Sequence, residues 1–393
     1  MKKIYSTIIL SFLVFCSNAQ GTWTQIAPFG GGTRYMMTGF AIGAKGYLGT
    51  GISASDYNDF WEWDQATNAW TQKADLPGNA RRLAAGFSIG TKGYIGTGYD
   101  GTFYNDFYEW DQATNLWTAK ANFGGTSRSN AIGFSIGAKG YIGTGFDGAW
   151  KDDFWEWDQA TDTWSQKSTF PGGPRANASA FSIAAKGYIG TGSSSGVDSD
   201  DFWEWDQATD TWTQKGNFGG AARNRAVGLS IGNWGYIGTG NVGGTYQNDF
   251  WLYDPQSDTW VQKADFGGQI RAYAAAFVIG NKGYLGTGAT TFDDVWEYDP
   301  DSVISTGINE LAVSGSLLTV TPNPACKYAV ISFQSSENKK AEIIITDIQG
   351  KICLGFADTK LPAKIDVSYL STGIYFVQLN SGKEKTVAKF LKE

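Results

Sequence analysis

Along most of the chain, short runs alternate apolar or small residues with polar ones, and turn-forming residues separate them. Four such runs follow one another in 83–121: "LAAGFSIG" (83–90), "GYIGTG" (93–98), "DFYEWD" (106–111) and "LWTAKA" (116–121). Period-two alternation bounded by Gly, Asn and Asp predicts strands. The unit recurs, because "KGYLGTG" or a close variant begins at Lys45, Lys92, Lys139, Lys186, Trp234 and Lys282, spaced by 47 or 48 residues. Each third strand carries bulky groups on both sides. In the first unit Trp61 and Trp63 share one side, and Phe60 and Glu62 the other. One four-stranded sheet cannot bury both of its faces, whereas sheets set radially, face against face, can. The pattern predicts an all-β fold, a six-bladed β-propeller over 20–302.

The first and last copies are offset by one strand. The fourth-strand tryptophans are Trp23, Trp70, Trp117, Trp164, Trp212 and Trp260, but "GTWTQIAP" (21–28) has no blade of its own. The final phrase "DDVWEYDPDS" (293–302) stops before its tryptophan. The N-terminal strand is therefore expected to complete the last blade and remove two open sheet edges. Just before it, "MKKIYSTIILSFLVFCSNAQ" has a charged end at Lys2 and Lys3, an apolar core and the small residues Ser17-Asn18-Ala19. That order predicts a signal peptide over 1–19, with ring closure only after export and cleavage.

The "GTG" turn, the aromatic-Asp of "WD" or "YD", and a tryptophan seven positions after that aromatic resemble the kelch repeat over about 22–302, with "GTG" in place of the more usual double glycine. The resemblance implies a kelch-type propeller of the galactose-oxidase-like kind. Most such propellers bind proteins or sugars, and a few are enzymes. After a linker at 303–316 the style changes, and 317–393 reads as a small β-sandwich. Pro322-Asn323-Pro324, Gly350-Lys351, Gly373 and Tyr375, in that order, resemble the C-terminal sorting domain of the type IX secretion system of Bacteroidota. That resemblance implies the secretion machinery as a partner and a location outside the cell or on its outer surface.

Composition narrows the rest. Charged residues make up 18% and the net charge is −7, which argues against nucleic acid as a partner. Apart from the signal segment no apolar stretch is long enough to span a bilayer. The chain has no histidine, which excludes His-based triads and His metal ligands. Galactose oxidase needs histidines for its copper, so no cofactor, metal or catalytic residue is assigned. Cleavage would leave Cys326 and Cys353, whose pairing the sequence does not fix.

Candidate binding residues come in two sets. Arg34, Arg81, Arg128, Arg175, Arg223 and Arg271 keep one register, in the loop entering each innermost strand. They would meet at one mouth of the channel and could hold an anion. Asp59, Asp106, Asp153, Asp201, Asp249 and Asp294 open each third strand on the same side, so Arg–Asp pairing is the preferred reading. The second set lies in the variable loop between strands two and three: Tyr57, Tyr104, Trp150, Tyr246 and Phe292, with Tyr99 and Phe146. Aromatics among polar residues suit sugars or peptide side chains. Trp234 and Leu252 replace a Lys and a Glu in the fifth unit alone, which predicts a Lys–Glu pair elsewhere, as between Lys92 and Glu109. The reading is a secreted or cell-surface recognition protein that binds a glycan or a protein through the loop face. The alternatives are a sugar-modifying enzyme, such as one resembling sialic-acid mutarotases, and a structural or adhesive surface protein.

Overall fold

The computed structural model describes residues 20–289, 292–300, 318–321, 325, 327–333, 340–347, 351–371, 373–381 and 384–392. The signal segment 1–19 and the linker 303–316 lie outside these residues. Two compact units divide the chain at Ile304/Ser305.

Among the described residues the first unit contains six four-stranded antiparallel sheets. Blade 2 runs Ala85–Ile89, Lys92–Gly96, Phe107–Asp111 and Leu116–Ala119, and the other blades repeat it. Neighbouring innermost strands contact one another around a closed ring, and Ala275–Ile279 returns to Thr38–Ile42. The sixth blade is completed by Thr22–Ile26, antiparallel to Val295–Asp299 with Trp23 opposite Tyr298.

Both faces of each sheet are buried, as the alternation requires. Phe60 packs with Phe40, Tyr47 and Trp110 at one blade interface, while Trp63 packs with Phe277 and Tyr284 at the other. The interface motif is aromatic: Trp110 lies 5.0 Å from Tyr47 and 5.1 Å from Phe60, the latter edge-on at 71°. Trp117 meets Phe60 at 5.2 Å, and Trp23 takes the equivalent place against Phe250 at 5.1 Å. Edge-to-face pairs of this kind add to the burial of large rings. The second-strand glycine permits the close approach, since a Cβ on Gly93 would lie 2.3 Å from Phe40.

The second unit has a three-stranded sheet (Leu318–Thr321, Tyr328–Phe333, Ala363–Asp366) and a four-stranded sheet containing Lys340–Asp347, Ile352–Lys360, Gly373–Ser381 and Glu384–Lys392. Ile331, Ile343, Ile345, Val377, Leu379 and Phe390 form its core. No helix among the described residues is long and apolar enough to cross a membrane.

Candidate functional site

The repeated arginines are buried and each is paired with the aspartate of its own blade: Arg34–Asp59, Arg81–Asp106, Arg128–Asp153, Arg175–Asp201, Arg223–Asp249 and Arg271–Asp294. Their exposures run from 0% to 4%. Arg128 shows the full set of contacts. Its terminal nitrogens donate to both Asp153 oxygens and, at 2.9 Å, to Thr144 O, and its Nε donates to Thr126 O at 3.1 Å. Phe123 lies 5.0 Å beneath the guanidinium. The main chain also serves the ring, because each arginine carbonyl accepts the N–H of the "GTG" second glycine in the preceding blade, at 2.8–3.0 Å. Gly145, at φ +102°, has to be glycine: a Cβ there would lie 2.8 Å from Ser129 O. The arginines offered as anion ligands are thus buried and paired within their own blades.

Three loop aromatics cover those same arginines. Tyr57 lies 3.9 Å from the Arg34 guanidinium, Tyr104 4.3 Å from Arg81, and Phe292 4.3 Å from Arg271. Tyr104 also donates to Asp100 at 2.6 Å. Tyr246 is half-buried in a two-stranded tip with Asn241–Val242. Trp150 is exposed, at 37%, and touches Phe146 at 5.3 Å.

The expected Lys–Glu pair is partly corrected. Lys186 bonds Glu204 at 2.7 Å, but Lys92 pairs with Asp111, and Glu109 accepts from Tyr94 at 2.8 Å. Register is the same in both blades, with Asp111 opposite Lys92 and Asp206 opposite Lys186, and Lys186 reaches Asp206 at 3.1 Å as well as Glu204. A double-mutant cycle should give about 0.5–1 kcal/mol of coupling for Lys186–Glu204 and near zero for Lys92–Glu109, read from thermal or urea unfolding. Equal coupling in both cycles would contradict this assignment.

Two residues beyond each arginine lies a position that differs from blade to blade: Met36, Leu83, Asn130, Asn177, Arg225 and Tyr273. All six take left-handed backbone conformations, with φ between 56° and 61°. Their amides form a closed circle, each N–H donating to the carbonyl of the equivalent residue one blade earlier at 2.9–3.2 Å. Side chains that L-residues rarely place at positive φ are thereby held around the channel mouth, a form of strain that collects at functional sites. With the alanines beside them they line a cavity of about 130 Å³. One half of the rim is polar (Asn130, Asn177, Arg225) and the other apolar (Tyr273, Met36, Leu83). Asn130 Oδ1 and Arg225 Nε are buried with no hydrogen-bond partner among the described residues. Arg34 Nε and Arg175 Nε are orphaned in the same way, and an ordered water or a ligand can satisfy such an atom. Arg225 lies 4.7 Å over the Tyr273 ring, and burial pushes the Tyr273 phenol up despite the nearby arginine charges.

Sequence reading missed this ring. The signal was present, as a non-repeating residue two places after a repeated arginine. Arg223 stands out because it is copied in every unit, whereas Arg225, in "RNR", is not copied. Arg82 was missed in the same way, and it bonds both Asp56 oxygens in the neighbouring blade at 2.8 Å.

In the second unit Lys351 N–H donates to Asp347 Oδ1 at 3.0 Å. Tyr375 is buried, stacked on Phe390 at 5.7 Å, and donates to Ser371 O at 2.9 Å, with Gly373 opening its strand. Pro322, Asn323, Pro324, Gly350 and Cys326 lie outside the described residues.

Residues 319–393 match the family described as a secretion system C-terminal sorting domain. Among solved structures, that of YjhT aligns with a TM-score of 0.59 at 18% identity, covering 69% of this chain and 96% of that one. At that identity the likeness shows the fold alone, a kelch-type propeller. The comparison with curated proteins gives no match. The chain is a kelch-type β-propeller joined to a type IX secretion sorting domain, and it is exported, to be secreted or held at the outer cell surface.

Proposed function

We propose that the propeller is an extracellular glycan-recognition module whose channel mouth takes an acidic sugar. The observation that carries this reading is the divided rim around buried, partnerless Arg225 Nε and Asn130 Oδ1. A sugar ring has an apolar face of C–H bonds and an edge of hydroxyls. Tyr273, Met36 and Leu83 suit the face, while Asn130, Asn177 and Arg225 suit the edge. Arg225 adds a positive charge for a carboxylate, and hydrogen bonds between charged groups are the stronger kind.

The test is a microarray of acidic and neutral glycans probed with the full chain and with Arg225→Asn. Asparagine already stands at this position in two other blades and tolerates positive φ, so the backbone circle is kept. Retention of acidic glycans by the parent, reduced about tenfold or more in the variant, is expected. Equal retention by the two proteins, or retention of neutral glycans alone, would contradict the reading.

A further inference from the structure

Blades 2 and 3 differ from blades 1, 4 and 5 at their loop tips. Each forms a tight hairpin whose first and last residues are both aromatic and bridge each other: Tyr99 with Phe103, and Phe146 with Trp150. The corresponding bridges are Ile52–Asp56 in blade 1 and, in blades 4 and 5, the pairs Ser193–Asp198 and Asn241–Tyr246. The two aromatic tips join into one strip. Tyr99 and Phe103 are 4.8 Å apart, Phe103 and Phe146 6.0 Å, and Phe146 and Trp150 5.3 Å. Tyr99, Phe103 and Phe146 are half-buried, and Trp150 is exposed.

The strip starts at the mouth. Tyr99 is paired through its main chain with Arg82, the residue before Leu83 of the rim. Phe146 is paired in the same way with Ser129, the residue before Asn130. The mouth cavity is about 130 Å³ and shares Ala84, Ala131, Ala178, Ala226 and Ala274 with a further channel space of about 190 Å³, and its rim leads outward onto the strip.

Both cations along the strip are already paired. Lys151 bonds Asp147 at 2.8 Å, Thr126 donates to Asp147 at 2.7 Å, and Arg82 is held by Asp56. Burial pushes the Asp147 carboxyl up, but the bonds from Lys151, Thr126 and the Ala149 amide outweigh it and hold the group at about 2. Asp100, held by the Tyr104 hydroxyl and the Thr102 amide, adds a negative charge, which disfavours a polyanion. A row of rings one side chain wide, with polar groups along its edge, suits sugar rings without charge.

Resting on the reading of the mouth above, we infer that the ligand is a glycan of several sugars: an acidic terminal sugar sits in the mouth, and the neutral sugars behind it lie along Tyr99, Phe103, Phe146 and Trp150. The mouth supplies charge recognition and the strip supplies length.

The experiment uses an array graded from monosaccharides to hexasaccharides, each with and without an acidic terminal sugar. It is probed with the full chain and with Trp150→Ala, Phe103→Ala, Trp150→Phe and Arg225→Asn. Trp150→Ala tests a side chain at an exposed tip, and Trp150→Phe checks that a ring alone restores retention. We expect retention to rise with chain length among acidic glycans. Trp150→Ala and Phe103→Ala should lower it about tenfold or more for the longer ones and leave acidic monosaccharides unchanged, whereas Trp150→Phe should keep the retention that Trp150→Ala loses. Length-independent retention, untouched by the two alanine variants, overturns the strip and leaves the mouth reading standing. Loss in the strip variants with none in Arg225→Asn supports the strip and overturns the mouth. Retention of no glycan, or capture of a peptide by the strip instead, overturns both.

Discussion

Deleting residues 20–26 should open the ring at blade 6 and make the propeller associate through its open edge. Trp23 lies 5.1 Å from Phe250, 5.0 Å from Phe266 and 4.8 Å from Tyr298, and its Nε1 donates to Ala264 O at 3.2 Å. Gln20 O accepts both the Ala264 N–H at 3.1 Å and the Tyr298 hydroxyl at 3.0 Å. Between other blades the side chain of Asn68, Asn115, Asp162, Asp210 or Asp258 takes the same kind of pair, as when Asn115 Oδ1 accepts from Ala74 and Trp110. The N-terminal segment therefore replaces a whole strand together with its cap. Its loss uncovers the edge Val295–Asp299, and an open edge recruits other strands. Trp23→Ala alone should cost about 3–5 kcal/mol. Size-exclusion chromatography and thermal unfolding read both effects, and a synthetic peptide of residues 20–28 should partly restore the truncated chain. A truncated protein that stays monomeric with the parental melting temperature would contradict closure by this strand.

Arg128→Ala should destabilise the propeller by about 3–5 kcal/mol, because it leaves Asp153 ionised and only 22% exposed with its partner gone. The double variant Arg128→Met, Asp153→Leu should recover much of that loss, since it removes both charges together. Acid provides a second readout. Burial pushes the Asp153, Asp249 and Asp294 carboxyls up, but hydrogen bonds and charge from Arg128, Arg223 and Arg271 outweigh it and hold all three below the usual value of 3.8. The folded state then binds fewer protons than the unfolded one at pH values around and below 4. The stabilisation is complete above the unfolded-state value and is lost as pH falls through the lowered folded value. Chemical denaturation should show stability falling from pH 5 to pH 2, with a shallower fall in Arg128→Ala. A profile that is flat in the parent, or equally steep in the variant, would count against these pairs.

Most of the architecture was legible because packing between blades is periodic and the period is written in tryptophan. The unfinished last copy disclosed the closing strand, since Trp23 had to find the same Phe-lined place as Trp117. The Arg–Asp pairs were legible because both residues recur at loops on one side. The partner of Lys92 was not, because joint replacement at Trp234 and Leu252 cannot distinguish a facing residue from a diagonal one. Register puts Asp111 opposite Lys92 and Asp206 opposite Lys186 alike, so each lysine has both an aspartate and a diagonal glutamate within reach. The channel rim stayed hidden for a related reason. Features copied into every blade stand out in a repeat, whereas Asn130, Asn177 and Arg225 are visible only as departures from it. The circle of left-handed residues that carries them is a property of the closed ring, and no single unit contains it.

Arg223 and Arg225 are two residues apart and divide the account between them. Arg223 is 1% exposed and bonds both oxygens of Asp249, whereas Arg225 stands in the channel rim with its Nε unpartnered. The most direct measurement is thermal unfolding and glycan-array retention of Arg223→Met and Arg225→Asn in the full chain, side by side. A lowered melting temperature with retained binding for the Arg223 variant, and lost binding at the parental melting temperature for the Arg225 variant, is the predicted result. Binding lost through Arg223 at unchanged stability, or kept in full by the Arg225 variant, would contradict the claim that repeated residues build the ring and unrepeated ones read the ligand.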